Sequence, residues 1–295
     1  METFVAVARG GSISKGAERL GVAKSVVSRR LADLEARLGA PLVLRTTRRM
    51  SLTDAGHRLL ERTETILSDI DEAEAAVTSG HAHLEGRLRI AAPLSFGLSV
   101  LQPLVARFAA EHPSVLLELD LADRDVNLVE EGFDLALRIG TLTDSSLVAR
   151  KVAPIRKAVA AAPAFWDDRG LPTVPEELEA LPCLYYSRAG KPGPLRFWGP
   201  DGRPGTISPP ARLITTSGDF MAQAAAEGLG FVVAPLFIVA HQLERGTLRA
   251  VLTDHTWSDI NLHLVYPPTR RPSGRTQAFA EAVTAYVKGE VAAAI

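Results

Sequence analysis

The chain has a single cysteine, Cys183, among 295 residues. No internal disulfide can form, and cysteine usage gives no sign of an oxidising compartment. Long apolar runs are also missing. The longest, Gly228 to Ala240, is broken by Pro235 and falls short of the roughly 20 residues a bilayer span needs. Met1-Glu2-Thr3-Phe4 runs straight into an amphipathic pattern, without the basic and apolar regions of a secretory leader. Enzyme signatures are absent too: there is no GxSxG, no P-loop, no HExxH, and no GxGxxG after a strand. His57, His112, His241, His255 and His263 are scattered, and Cys183 sits in an apolar strand where it reads as structural. The expectation is a cytoplasmic protein with no membrane partner, no catalytic residue and no metal site.

What is present is a large apolar fraction, 46%, enough for a sizeable core, on a chain long enough for two or three domains. The net charge of −1 hides an asymmetry. Residues 1–62 carry 12 Lys/Arg against 6 Asp/Glu, a net +6, and the remainder carries 21 against 28, a net −7. A basic head on an acidic body is what a chain would show if only its head met a polyanion. A solvated basic face would show the same charge.

The head reads as helices. Met1 to Arg9 is the end of a short helix stopped by Gly10-Gly11. Ser12 is a good N-cap for a helix from Ile13 to Leu20. Gly21-Val22-Ala23 makes a turn, and a longer helix runs from about Lys24 to Leu38, with Val27, Leu31, Leu34 and Leu38 in one stripe. Two helices around a short Gly-containing turn are the helix-turn-helix pattern, whose second helix presents its N-terminal residues to base edges. Here those residues are Lys24, Ser25, Ser28, Arg29 and Arg30. An ordinary helical hairpin with a charged face has the same periodicity. The next element separates the two: Leu42 to Leu52 reads as two short strands around a basic tip, a wing whose Arg45, Arg48 and Arg49 can reach phosphates or a narrow minor groove. Thr53 then caps a further helix.

These residues resemble a known family. Gly11-Ser12-Ile13-Ser14, Ala17, Leu20-Gly21-Val22, Val27-Ser28-Arg29, Leu34-Glu35, Leu38-Gly39, Leu42, Arg45-Thr46, Arg48, Leu52-Thr53 and Ala55-Gly56 resemble the LysR-type transcriptional regulators at that family's spacing. The resemblance implies a winged helix-turn-helix that binds promoter DNA. The DNA-facing set is then Ser12, Lys24, Ser25, Ser28, Arg29 and Arg30, with Arg45, Thr46, Arg48 and Arg49 on the wing. Four features depart from the family. Helix 1 is short, the family usually having residues ahead of Met1. Gly16 follows Lys15 where a small Ala-rich pair is usual, and a mid-helix Gly costs about 1 kcal/mol against Ala. Lys24 replaces a common Gln and cannot read adenine bidentately. Val43 replaces a usual Phe and should weaken the wing's packing.

From Thr53 to about Ser79 the pattern is one long helix without Pro. Leu59, Thr63, Ile66, Ile70, Ala73 and Val77 step by 4, 3, 4, 3 and 4, a heptad-like stripe that fits a helix–helix seam or a helix packed on its own domain. The resemblance favours the seam, in which paired helices set the spacing of two heads on a two-fold symmetric site and build a homodimer, then a tetramer. Residues 80–86 read as a joint, and its His81 and His83, lacking a third ligand, read as solvated linker residues rather than a metal site.

Beyond Gly86 strands alternate with helices, the pattern of a parallel or mixed α/β sheet. Strands are expected at Leu88 to Ala92, Val115 to Leu121, Asp134 to Ile139, Leu147 to Val152 and Ile155 to Ala161, with helices from Gly97 to Glu111 and Asp125 to Gly132. A second lobe follows, with strands at Cys183 to Tyr186, Leu213 to Thr216, Phe231 to Ala234 and Ile260 to Tyr266. Gly- and Pro-rich Pro194 to Pro210 reads as a surface hairpin, and the last helix runs from Arg275 to Val287. The body also resembles the LysR family's effector domain, through Asp120 to Arg124, Leu128 to Gly140 and Asp144 to Ala149, nearest the CrgA-like subgroup. That domain is similar to two-lobed periplasmic solute-binding proteins. The expected architecture is an all-α winged helix-turn-helix head at 1–56, a linker and dimerisation helix with hinge at 57–85, and a two-lobed α/β effector domain at 86–295. Lobe I is expected at about 86–161 and 267–295, lobe II at about 162–266.

Ligands of open α/β sheets sit at the carboxyl ends of strands and at helix N-termini. That selects Ser95, Phe96, Asp123, Arg138 and Gly140 on one side and Thr216 and Ser217 on the other. The hydroxyls with helix-end N–H groups would suit a small effector, a carboxylate for example; each is equally well placed to be a simple cap. Arg138 could instead pair with Asp134 or Glu131. No cofactor is expected. The competing assignment is a solute-binding protein or enzyme with a non-functional basic head.

Overall fold

In a computed structural model of the chain, residues 1–45, 50–60, 62–63, 66–67, 70, 84–140, 148–187, 190–257, 260–268 and 272–292 are described. Among them, no helix is long and apolar enough to cross a membrane. The chain forms two compact units, Met1–Arg87 and Leu88–Ile295.

The first unit opens with α1 (Glu2–Gly10), α2 (Ile13–Leu20) and α3 (Lys24–Leu38). Phe4, Val7, Ala17, Val27 and Leu31 form its dry centre, each 3% exposed or less. Gly21, at φ 63°, ends α2 in the left-handed region and turns the chain into α3. Strands β1 (Val43–Arg45) and β2 (Met50–Leu52) pair antiparallel, Val43 opposite Leu52. A fourth helix, α4, begins at 54 and is helical at 54–60, 62–63, 66–67 and 70. Its cap is Thr53, whose Oγ1 accepts from Gly56 N–H at 2.9 Å and donates to the carbonyl of Pro41 at 2.8 Å.

Gly16 has a structural reason. A Cβ at this position would lie 2.7 Å from Val7 Cγ2 and 3.0 Å from Val7 Cα, so its absence is what lets α1 and α2 approach. The propensity cost of a mid-helix Gly is offset by that contact. Val43, for its part, is 6% exposed and belongs to the head's core.

The second unit contains two five-stranded sheets. In chain order it runs β3 (Gly86–Ala92), α5 (Leu94–Phe96), a π turn at Gly97–Leu101, α6 (Gln102–Glu111), β4 (Val115–Leu121), β5 (Leu135–Gly140), β6 (Val148–Pro154), β7 (Lys157–Ala161) and α7 (Pro163–Asp167). A 3-10 turn at Pro175–Ala180 follows, then β8 (Cys183–Tyr186), the hairpin β9 (Leu195–Trp198) with β10 (Pro204–Ile207), β11 (Ala211–Thr215), α8 (Gly218–Ala226), β12 (Phe231–Pro235), α9 (Leu236–Glu244), β13 (Arg249–Val251), β14 (Asn261–Tyr266) and α10 (Gly274–Gly289). The first sheet has the order β4-β3-β5-β14-β6 and the second β11-β8-β12-β7-β13. Both are mixed: β3 and β5 are parallel while β14 is antiparallel to β5 and β6, and β8 is parallel to β11 and β12 while β7 is antiparallel to β12 and β13.

The lobe boundaries expected from sequence are therefore corrected. Strand β7, assigned to lobe I, is the fourth strand of the second sheet, between β12 and β13. Strand β14, assigned to lobe II, sits between β5 and β6 in the first sheet. The chain crosses between β6 and β7 and returns between β13 and β14, and the two crossings are bonded to each other, Ile155 N–H donating to Ile260 O at 3.0 Å.

The helix expected from Asp125 to Gly132 is also corrected, because that segment forms turns. Asn127 Oδ1 accepts from Val129 N–H and Glu130 N–H, and Glu131 Oε1 accepts from Asn127 N–H at 2.9 Å. These side chains satisfy the backbone locally and displace the helical ladder. Conversely, α9 and β13 were not anticipated. The apolar run Gly228 to Ala240 holds the whole of β12 and the start of α9, divided at Pro235.

Candidate DNA interface and ligand cleft

In the head, α3 turns Val27 and Leu31 fully inward, which leaves Lys24, Ser25, Arg29 and Arg30 exposed and Ser28 half-buried. Ser12 is the α2 cap, its Oγ accepting from Lys15 N–H at 3.2 Å. Arg29 Nε lies 3.9 Å from Asp33 Oδ2 with both side chains largely in solvent. Such a pair is worth little and leaves the guanidinium able to exchange its partner for a phosphate. The wing is tied to α3 by Glu35, whose Oε1 accepts from Leu42 N–H at 2.7 Å and Val43 N–H at 3.1 Å. Thr46, Arg48 and Arg49, and the side chain of Arg45, lie outside the described residues.

In the second unit a cavity of about 400 Å³ opens between the two sheets, within the usual size of small-molecule sites. The first sheet's side contributes Ser95, Phe96, Asp123, Arg138 and Gly140; the second contributes Lys157, Tyr185, Tyr186, Met221 and Phe237. Two contacts bridge the lobes across it. Ser95 Oγ donates to Asp219 Oδ2 at 2.6 Å, and Phe96 meets Phe237 edge-on with ring centroids 5.4 Å apart. Asp123 Oδ1 accepts from Leu94 N–H at 3.1 Å, which holds the entry to α5. Arg124, also in the wall, is engaged by Asp120 at 2.7 Å and Glu131 at 2.6 Å. That hydrogen-bonded pairing raises the Arg124 pKa and holds the Glu131 carboxyl below its usual range.

Residues 1–57 match the family described as "Bacterial regulatory helix-turn-helix protein, lysR family", and residues 81–288 match the "LysR substrate binding domain". The chain belongs to the LysR family of transcriptional regulators. Among its relatives, the HTH-type transcriptional regulator CrgA of Neisseria meningitidis serogroup B is 34% identical over 259 residues, covering 87% of this chain and 85% of that protein. The HTH-type transcriptional regulator DmlR of Escherichia coli K12 is 31% identical over 287 residues, covering 97% and 93%. The solved structure of CrgA aligns over 98% of this chain and 97% of its own, with a TM-score of 0.60 and 30% identity. The full-length Vibrio cholerae virulence activator AphB aligns over 95% and 96%, with a TM-score of 0.57 and 25% identity.

The LysR fold brings five of the seven expected ligand residues to one cavity: Ser95, Phe96, Asp123, Arg138 and Gly140. Thr216 and Ser217 do not line it. Ser217 Oγ accepts from Phe220 N–H at 3.2 Å, so its hydroxyl is spent as the α8 cap, and its own N–H donates to Thr215 Oγ1 at 3.1 Å. Arg138 pairs with neither Asp134 nor Glu131. It donates to the carbonyl of Val126 at 2.8 Å, while Asp134 Oδ2 accepts from Arg89 N–H and Glu131 holds Arg124.

Sequence reasoning missed Tyr185, Tyr186, Met221, Phe237 and Asp219. Tyr185 and Tyr186 were reachable by the strand-end rule, since they close β8. Phe237 and Met221 lie on helix faces whose orientation depends on β7 joining the second sheet.

The linker stripe divides. Leu59 is half-buried against the head's core and Thr63 is 1% exposed, its Oγ1 3.9 Å from Met1 Sδ. Both pack within their own head because the first turns of α4 complete its core. Ile66 and Ile70 are 50% and 47% exposed. Ala73 and Val77, with His81 and His83, lie outside the described residues.

Proposed function

We propose that the chain binds promoter DNA in the cytoplasm as a homodimer or a dimer of dimers, and that a small molecule held between its lobes changes the spacing or bend of the bound DNA. The observation that supports this most is the cleft. A ring-rich cavity spanned by the Ser95–Asp219 bond and the Phe96–Phe237 contact is built to be opened or closed by something that fits inside it. A ligand shifts such an arrangement only through its differential affinity for the two states.

Self-association is supported by exposed apolar side chains. Ile66 and Ile70 are one helical turn apart on α4. In the second unit Leu98, Leu116, Ile214 and Phe220 are exposed, with Leu116 and Ile214 on the sheets' edge strands. Phe220 follows Asp219 directly on α8, so a change at the cleft clasp would be carried to that surface.

The function is tested by footprinting the purified chain on the DNA upstream of its own reading frame, with and without small metabolites that raise its melting temperature. The expected outcome is a two-fold symmetric protected region, lost with rising salt, whose extent changes when a stabilising metabolite is added. Protection of any DNA alike, or a footprint no stabilising metabolite alters, would contradict it.

A further inference from the structure

Among the described residues, the cavity wall carries five ionised side chains: Asp123, Arg124, Asp125, Arg138 and Lys157. They are not equivalent. Arg124 is saturated by Asp120 and Glu131. Asp123 is held by Leu94 N–H. Arg138 differs from Arg124 in meeting only a neutral acceptor, the carbonyl of Val126, with no carboxylate within ion-pair distance among the described residues. A half-buried guanidinium has five N–H donors in a planar fork, and one carbonyl leaves most of them without a partner among the described residues.

The opposite wall carries Lys157 on β7, but its α8 end is closed to anions. The N-terminus of α8, where a helix would ordinarily welcome negative charge, already holds Asp219 in its first turn and Ser217 as its cap. Asp219 also takes the hydroxyl of Ser95, a polar group of the cavity lining. Between the two ends the lining is apolar and ring-rich: Phe96, Tyr185, Tyr186, Met221 and Phe237. Two of the chain's 4 tyrosines are in this wall.

We propose that Arg138 anchors the acidic end of the cleft ligand, and that the ligand is a small amphipathic monocarboxylate whose ring-sized apolar body lies against Phe96, Met221 and Phe237. Asp219 sets the charge limit. A second acidic group directed toward α8 meets a carboxylate there. The inference rests on the cleft being the effector site, and it assigns that ligand one negative charge with its orientation along the cavity.

The test is calorimetric titration of the full chain with 3-phenylpropanoate, its uncharged amide and the dianion phenylsuccinate. The acid is expected to bind wild type at least about tenfold more tightly than the amide, the scale of a charge-assisted hydrogen bond. Arg138→Gln should abolish that preference, and Arg138→Lys, which keeps the charge, should retain part of it. Phenylsuccinate should bind wild type more weakly than 3-phenylpropanoate and recover in Asp219→Asn. Melting curves without ligand show whether each variant is folded. An acid preference that survives in folded Arg138→Gln, or an amide that binds wild type as well as the acid does, overturns the anchor and leaves the cleft as a ligand site. No gain for phenylsuccinate in Asp219→Asn overturns the charge limit. If none of the three probes binds wild type, the ligand class is overturned, while the reading of the cleft as an effector site is decided separately by the metabolite footprinting.

Discussion

Ser95 and Asp219 stand on different lobes and share a hydrogen bond of 2.6 Å. Ser95 is 5% exposed, at the start of the helical segment after β3, while Asp219 lies in the first turn of α8. The bond has an ionised acceptor and is short, so it belongs to the stronger class of hydrogen bonds. Asp219 is exposed, and solvent screening limits what the bond contributes. A double-mutant cycle with Ser95→Ala and Asp219→Asn should give a coupling of about 1 kcal/mol in denaturant unfolding of the second unit. Additive single effects would show that the lobes are not clasped here.

The head makes a separate prediction. Gly16→Ala would improve helix propensity by about 1 kcal/mol in an open position. Here the new Cβ meets Val7 at 2.7 Å, including its backbone at 3.0 Å, and α1 must move. The expected result is a net loss of about 1–3 kcal/mol in the head, the usual scale of overpacking, read as a lower melting temperature and weaker DNA binding. A stabilised variant would contradict the close approach of α1 and α2.

Glu35 was visible in the sequence only as part of the Leu34-Glu35 motif. It bridges α3 to the wing by accepting two backbone N–H groups. Glu35→Ala should leave Leu42 N–H and Val43 N–H without their acceptor and cost about 1–3 kcal/mol. Glu35→Gln, which keeps one acceptor oxygen, should cost less. Hydrogen exchange at Leu42 and Val43 reads the effect directly, with faster exchange expected in the Ala variant.

Cys183 is 1% exposed, and burial pushes its thiol pKa up to about 12. The thiolate is the reactive form, so the native chain should react with a thiol reagent at pH 8 only as fast as it unfolds. One equivalent should appear promptly in denaturant. Prompt reaction in the native state would show that the second sheet opens at β8.

Much of the head was legible because its information is local. The Ser12 and Thr53 caps and the Gly21 turn each act within a few residues and reappear in the structure, as does the stripe at Val27, Leu31 and Leu34, while its last member, Leu38, is 43% exposed at the helix end. The body was legible as alternating elements, but strand order was not. Nothing near β7 or β14 in sequence states that each pairs with strands of the opposite lobe, since pairing is nonlocal and a buried strand has the same pattern in either sheet. The two sides of the cleft follow from that difference. Residues after β3, β4 and β5 could be placed by the strand-end rule, as could Tyr185 and Tyr186 at the end of β8, whereas Met221 and Phe237 on the far wall's helices could not. Thr216 and Ser217 failed for a simpler reason: a hydroxyl before a helix serves equally as cap or ligand contact, and the cap at Phe220 N–H used it.

The claim tested most directly is that α3 reads DNA through its exposed basic face. Binding to the upstream site should be measured against salt for wild type, Lys24→Ala and Arg29→Ala. Wild-type affinity should fall steeply and linearly on logarithmic axes, and loss of a phosphate contact at Arg29 should lower that slope by about 1. Loss of a base contact at Lys24 should narrow the gap between the upstream site and random DNA by about 1–3 kcal/mol. Unchanged slope and unchanged specificity in both variants would contradict the account.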